Sequence, residues 1–182
     1  MILYKNVDIC DLDSILEHGI LSADIVGNNW IYGKRANNPT DVVYLFDPKE
    51  KNRCFPEYGA ALLVCDIKNA KQTVIPDGDR HGFEYTEYVT DTVPVEHIRK
   101  ILIPELFREK ISLSAALNEK IIWCNMEAKT YSDDGEKIIA DNETLKIFAA
   151  SAKIVSSNQY MYFRGIVKNS VLDVYDVKYI EK

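Results

Sequence analysis

Two carboxylates three residues apart, Glu84 and Glu87, sit inside the aromatic run Phe83-Glu-Tyr-Thr-Glu-Tyr-Val-Thr90. A fixed carboxylate in such surroundings can hold a positive charge that develops during bond cleavage. In a strand, Glu87 shares a face with Tyr85 and Val89, while Glu84, Thr86 and Tyr88 face the other way. The two carboxylates therefore do not line one cleft, and Glu84 reads as a solvated strand residue. A second concentration of chemistry is the segment 28–38, which mixes Trp30 and Tyr32 with amides and the cations Lys34 and Arg35. Aromatic faces stack on bases and cations meet phosphate, so this mixture suits a nucleotide or a partner surface. Cys10, Cys54, Cys65 and Cys124 are widely spaced, as are His18, His81 and His97. Metal sites usually show closely spaced ligand pairs. No metal site is expected, and the cysteines read as buried structural thiols. His18 reads as a cap at a helix C-terminus rather than a catalytic base.

Positioning these residues requires a folded scaffold, and the composition supplies one. The 182 residues are 47% hydrophobic and 27% charged, the length of one domain, spanning 1–182. No apolar run is long enough to cross a membrane, and the start, MILYKNVDICDLD, has no basic n-region or apolar h-region. The expectation is a cytoplasmic protein with no membrane partner. A net charge of −6 argues against a broad non-specific grip on nucleic acid.

Residues 2–4 read as a strand, and Asp11–Gly19 as a short helix with Asp11 as cap and Gly19 as stop. Residues 22–41 are rich in Asn, Gly and Pro and read as a long loop. Strands are expected at 42–46, 60–67, 72–75, 83–90 and 98–103. A mainly helical segment follows at about 105–155, with a helix over 105–123, a turn at 131–136 and a second helix over 141–155. Closing strands are expected at 159–167 and 171–180. This order favours an α+β fold with two small, mainly antiparallel sheets flanking a cleft.

Three pieces of the chain carry a resemblance: Leu3-Tyr4-Lys5 with a helix ending in His18-Gly-Ile-Leu-Ser22, then Val43-Tyr44-Leu45, then Glu84–Tyr88 leading into Val93-Pro-Val-Glu-His-Ile98. Together they resemble the ADP-ribosyltransferase-like fold, on the branch of the DarT-type toxins and the tRNA 2′-phosphotransferases. The resemblance covers about residues 2–103. It implies NAD as the substrate cofactor, Glu87 as the catalytic carboxylate beside the ribose, and Tyr44 as an aromatic face for nicotinamide. Lys5 stands where that family carries His or Arg, so it would meet a phosphate only as a point charge. Arg35 and Asn37 complete the expected cofactor-binding set. The implied activity is ADP-ribose transfer to a macromolecular acceptor, as in a toxin or effector, and the acidic charge favours a protein over a nucleic acid. Two alternatives stay open: a non-catalytic binding or inhibitor protein acting through residues 28–38, and an RNA 2′-phosphotransferase.

Overall fold

The computed structural model describes residues 1–27, 38–55, 58–109, 114–132, 135–140 and 174–182. Within them the chain is α+β, dominated by ten strands in one mostly antiparallel open sheet. The strands are β1 (Ile2–Val7), β2 (Val43–Pro48), β3 (Arg53–Cys54), β4 (Ala61–Asp66), β5 (Lys71–Gln72), β6 (Tyr85–Thr90), β7 (Ile98–Pro104), β8 (Ile121–Ser132), β9 (Gly135–Ala140) and β10 (Val174–Glu181). Their order is β3-β10-β8-β7-β4-β1-β2-β6-β5, with β9 added to β8. The helices are short: α1 (Leu12–His18), α2 (Ala23–Val26) and α3 (Ala115–Asn118). No helix among the described residues is long and apolar enough to cross a membrane.

The expected strands before residue 104 form close to their expected positions, except that the one expected at 72–75 is only Lys71–Gln72; the others are runs of β-branched and aromatic residues closed by turn chemistry. β4 is buried along nearly its whole length, as its continuous apolar sequence ALLVC requires of a central strand. α1 ends at Gly19, whose φ of +80° is one that residues with side chains rarely adopt. A Cβ there would lie 2.5 Å from the Val93 carbonyl oxygen, so the stop also permits the Ile20–Val93 bridge. Asp11 holds the expected N-cap position of α1, but as the end of the preceding 3-10 turn it makes no capping side-chain bond.

Two expectations are corrected. The two separate sheets are one continuous ladder, although β1 and β2 meet at a single register pair, Tyr4↔Phe46, where β1 and β4 share six. Among the described residues the helical segment is reduced to a 3-10 turn at Glu105–Phe107 and to α3, and β8 pairs antiparallel with β9. The apolar steps through Leu117 and Ile121 resemble a helix, but from Cys124 burial alternates with period two: Cys124, Met126 and Ala128 are buried and Asn125 is exposed. The crossover from β7 to β8 is also parallel, the one departure from antiparallel pairing among the described strands. The expected helix over 141–155 and strand over 159–167 lie outside the described residues. The last strand is seen as β10.

The sheet is strongly curled, and chain length requires it. Six inter-strand steps separate β3 from β2 in the ladder, which in a flat sheet is about 29 Å. Only residues 49–52 join them, a span of at most about 18 Å between Pro48 and Arg53. The end of the sheet must therefore fold back over β1, β2 and β6. Asn52 makes the reversal in the left-handed region at φ 59°. Buried Asn6 on β1 then fastens the returning segment. Its amide donates to Cys54 Sγ (3.0 Å) and the Gly59 carbonyl (2.9 Å), and its Oδ1 accepts from the Phe55 N–H (3.1 Å). Asn6→Ala would leave the Phe55 and Gly59 backbone groups buried and unpaired. The expected loss is about 1–3 kcal/mol of stability, read as a lower urea midpoint at an unchanged slope.

Candidate functional site

The register of β1, β2 and β6 builds a row of side chains on one face of the sheet. Tyr4 stands opposite Phe46, and Phe46 opposite Glu87. Tyr44, two residues from Phe46 and paired with Val89, points to the same side, as does Tyr85. Glu87 is buried at 7% exposure, and its backbone carbonyl accepts from the Thr73 N–H at 3.0 Å. Aromatic rings surround this row. Tyr4 stacks on Phe46 at 6.1 Å, while Phe55 and Tyr85 meet Phe46 at 5.3 and 5.4 Å and each other at 5.2 Å. A carboxylate among rings is poorly screened, so its attraction for a nearby positive charge is larger than in water.

The structure brings Glu87, Tyr44 and Tyr4 to one face and leaves Lys5 on the other. Lys5 neighbours Tyr4 on β1, so the pleat turns it away from the Glu87 row. Its ammonium donates instead to the Tyr44 carbonyl at 3.1 Å, and burial pushes its pKa below the ordinary lysine value. The register thus places Lys5, expected among the cofactor-binding residues, on the opposite face of β1 from the Glu87 row. Tyr44 is half-buried and its hydroxyl donates to the Pro39 carbonyl at 3.0 Å. Arg35 and Asn37, with residues 28–37 as a whole, lie outside the described residues.

Glu84 has a structural partner. Arg53 of β3 donates to Glu84 Oε1 at 3.2 Å, lies over the Phe55 ring at 5.5 Å, and approaches Asp176 Oδ1 at 3.1 Å without hydrogen-bond alignment. Behind the row, the Tyr4 hydroxyl donates to Asn52 Oδ1 at 3.4 Å, and the Asn52 amide donates to Glu181 at 3.2 Å. Lys100 grips the same carboxylate at 2.6 and 2.7 Å, and this bond, with that of Asn52, holds Glu181 below the usual carboxylate range. Burial, with Asp47 and Glu181 nearby, pushes the Tyr4 phenol up, so it stays a neutral donor.

Tyr4, Phe46, Phe55, Tyr85 and Arg53 escaped the sequence reading as members of one site. Period-two alternation places Tyr85 with Glu87, but only strand pairing brings Tyr4 and Phe46 into their row. Cys54, Cys65 and Cys124 are buried thiols as expected, whereas Cys10 is exposed. Cys10 has ligand atoms of Asp8 and Asp11 within 4.8 Å. Burial and those two acids push its thiol up to about 11, which opposes the thiolate a metal needs. Comparison with protein families, with curated proteins and with solved structures finds no match to this chain.

Proposed function

We propose that the protein is an NAD-dependent ADP-ribosyltransferase in which Glu87 is the catalytic carboxylate. The observation that carries this reading is the buried Glu87 in register with Phe46 and on the face of Tyr44. Cleavage of the nicotinamide–ribose bond builds oxocarbenium character at the ribose. Glu87, held by its strand, would offset that charge and accept a hydrogen bond from a ribose hydroxyl, while Tyr44 gives the nicotinamide a flat apolar neighbour. The pyrophosphate falls to residues other than Lys5, whose ammonium is committed to the Tyr44 carbonyl. Arg35 is the candidate. The acceptor is a macromolecule, and the net charge of −6 favours a protein.

A second reading keeps the scaffold and drops the chemistry. With Lys5 turned away from Glu87, the chain would be a binding or inhibitor protein working through residues 28–38. The two readings separate on NAD. If NAD binds the native state, a hundredfold excess over Kd should stabilise it by about 2.7 kcal/mol, seen as a higher melting temperature. Consumption of NAD with release of nicotinamide completes the case for the enzyme. Absence of both effects, with tight capture of a protein partner, selects the second reading.

A further inference from the structure

Glu87 is too buried to meet a substrate in this conformation, and the way to it is written in how the sheet is divided. One group of strands is knit tightly: β1 to β4 by six register pairs, β4 to β7 by four, and the segment 54–59 to β1 through Asn6. A smaller group is equally coherent. β2 and β6 share six pairs, β5 adds to β6, and the Lys49 N–H donates to the Glu84 carbonyl at 3.1 Å. Between the groups the ladder thins to Tyr4↔Phe46, supported by the Lys5–Tyr44 bond and the Tyr4–Phe46 stack.

The groups touch again across the face that bears Glu87. Arg53 meets Glu84 at 3.2 Å, and the Phe55 ring meets Phe46 and Tyr85. Apart from the short 49–52 connection, these contacts close the curl through side chains, with no backbone ladder between β3 and β6 among the described residues. Arg53 also has somewhere to stay when Glu84 departs. Asp176 lies 3.1 Å from its Nε, and the Phe55 ring lies under its guanidinium. Separation therefore strands no buried cation, which keeps the cost of opening low.

We propose that β1/β2 is a hinge and that Arg53–Glu84, with Phe55, is its latch: release swings β2, β6 and β5 away from residues 53–55 and uncovers Glu87. The functional meaning rests on Glu87 being the working carboxylate, but the motion does not require NAD. The test labels carboxylates of the full chain with a water-soluble carbodiimide and glycine ethyl ester, and reads Glu87 by peptide mass spectrometry against exposed Asp91. Glu84→Gln should raise Glu87 labelling roughly fivefold, the shift expected from losing about one pairing interaction. In the wild type at low urea, the amides of 43–48 and 85–90 should exchange together, ahead of those of 61–66 and 98–104. Unchanged Glu87 labelling in Glu84→Gln overturns the latch. Wild-type exchange of β2 and β6 only in step with β4 and β7 overturns the hinge, and that measurement decides if the variant does not fold. NAD left intact by a protein that opens in this way overturns the enzyme reading and leaves the hinge standing.

Discussion

Glu87→Gln should lower NAD cleavage by about 10²–10³-fold while keeping NAD affinity close to that of the wild type. The asymmetry follows from when the carboxylate acts. Charge appears on the ribose as the glycosidic bond breaks, so an interaction with that charge strengthens toward the transition state and barely touches ground-state binding. The factor is that of removing one preorganised electrostatic group from a site shielded from water. Glutamine preserves shape and hydrogen bonding, so the change isolates the charge. The measurement is kcat and KM for nicotinamide release, with Glu84→Gln alongside. Glu84 meets Arg53 on the closing contact, so its variant should alter access to the site without the selective 10²–10³-fold loss of the cleavage step. A Glu87→Gln protein with near-wild-type turnover would mean that the carboxylate has been misassigned.

The largest effect on stability is expected at Gly59. Its φ of +127° is one that side-chain-bearing residues rarely adopt, and an added Cβ would lie 2.1 Å from the carbonyl carbon of Val7 and 2.2 Å from its oxygen. Both are backbone atoms of β1, so no rotamer change relieves the clash. β1 is a central strand, and the shift would reach its ladder with β4 and the three Asn6 bonds. Backbone strain and overpacking together set the expected loss at about 4 kcal/mol or more, a large part of the stability of a domain this size. Gly59→Ala should then be largely unfolded at 37 °C by circular dichroism. Gly78→Ala makes the control: it shares a positive φ, but no atom lies within 4 Å of its added Cβ.

The sequence revealed what is local and concealed what is not. Residues 43–48, 61–66, 85–90 and 98–104 are strands close to where their β-branched and aromatic runs place them, because both the run and its bounding turns lie within a few residues. The same alternation put Tyr85 on the face of Glu87, whereas Glu84, read as a solvated strand residue, lies just outside β6 and pairs with Arg53. Lys5 shows the limit. Nothing near Leu3-Tyr4-Lys5 says which face of β1 will look toward Glu87, since that depends on Tyr4 pairing with Phe46 and Phe46 with Glu87, across more than eighty residues of chain. A one-residue slip of that pairing would have moved Lys5 into the row. Residues 121–132 show a different failure. Apolar spacing through Leu117 and Ile121 satisfies a helix, and only the contacts of β8 with β7, β9 and β10 decide for a strand.

The placement of β10 has a consequence for how the molecule is made. This strand, the last along the chain, inserts between β3 and β8, so Val177 pairs with Cys54 on one side and with Ala128 on the other. Synthesis runs from the N-terminus at about 5–20 residues per second, so residues 53–54 wait several seconds for their sheet partner. During that wait, β3 and the flank of β8 present open strand edges, and Tyr179, whose hydroxyl will donate to the Ala60 carbonyl at 2.7 Å, is not yet available to cover the core. A nascent chain halted before residue 174 is thus an aggregation hazard, and the curled sheet closes only once β10 has emerged.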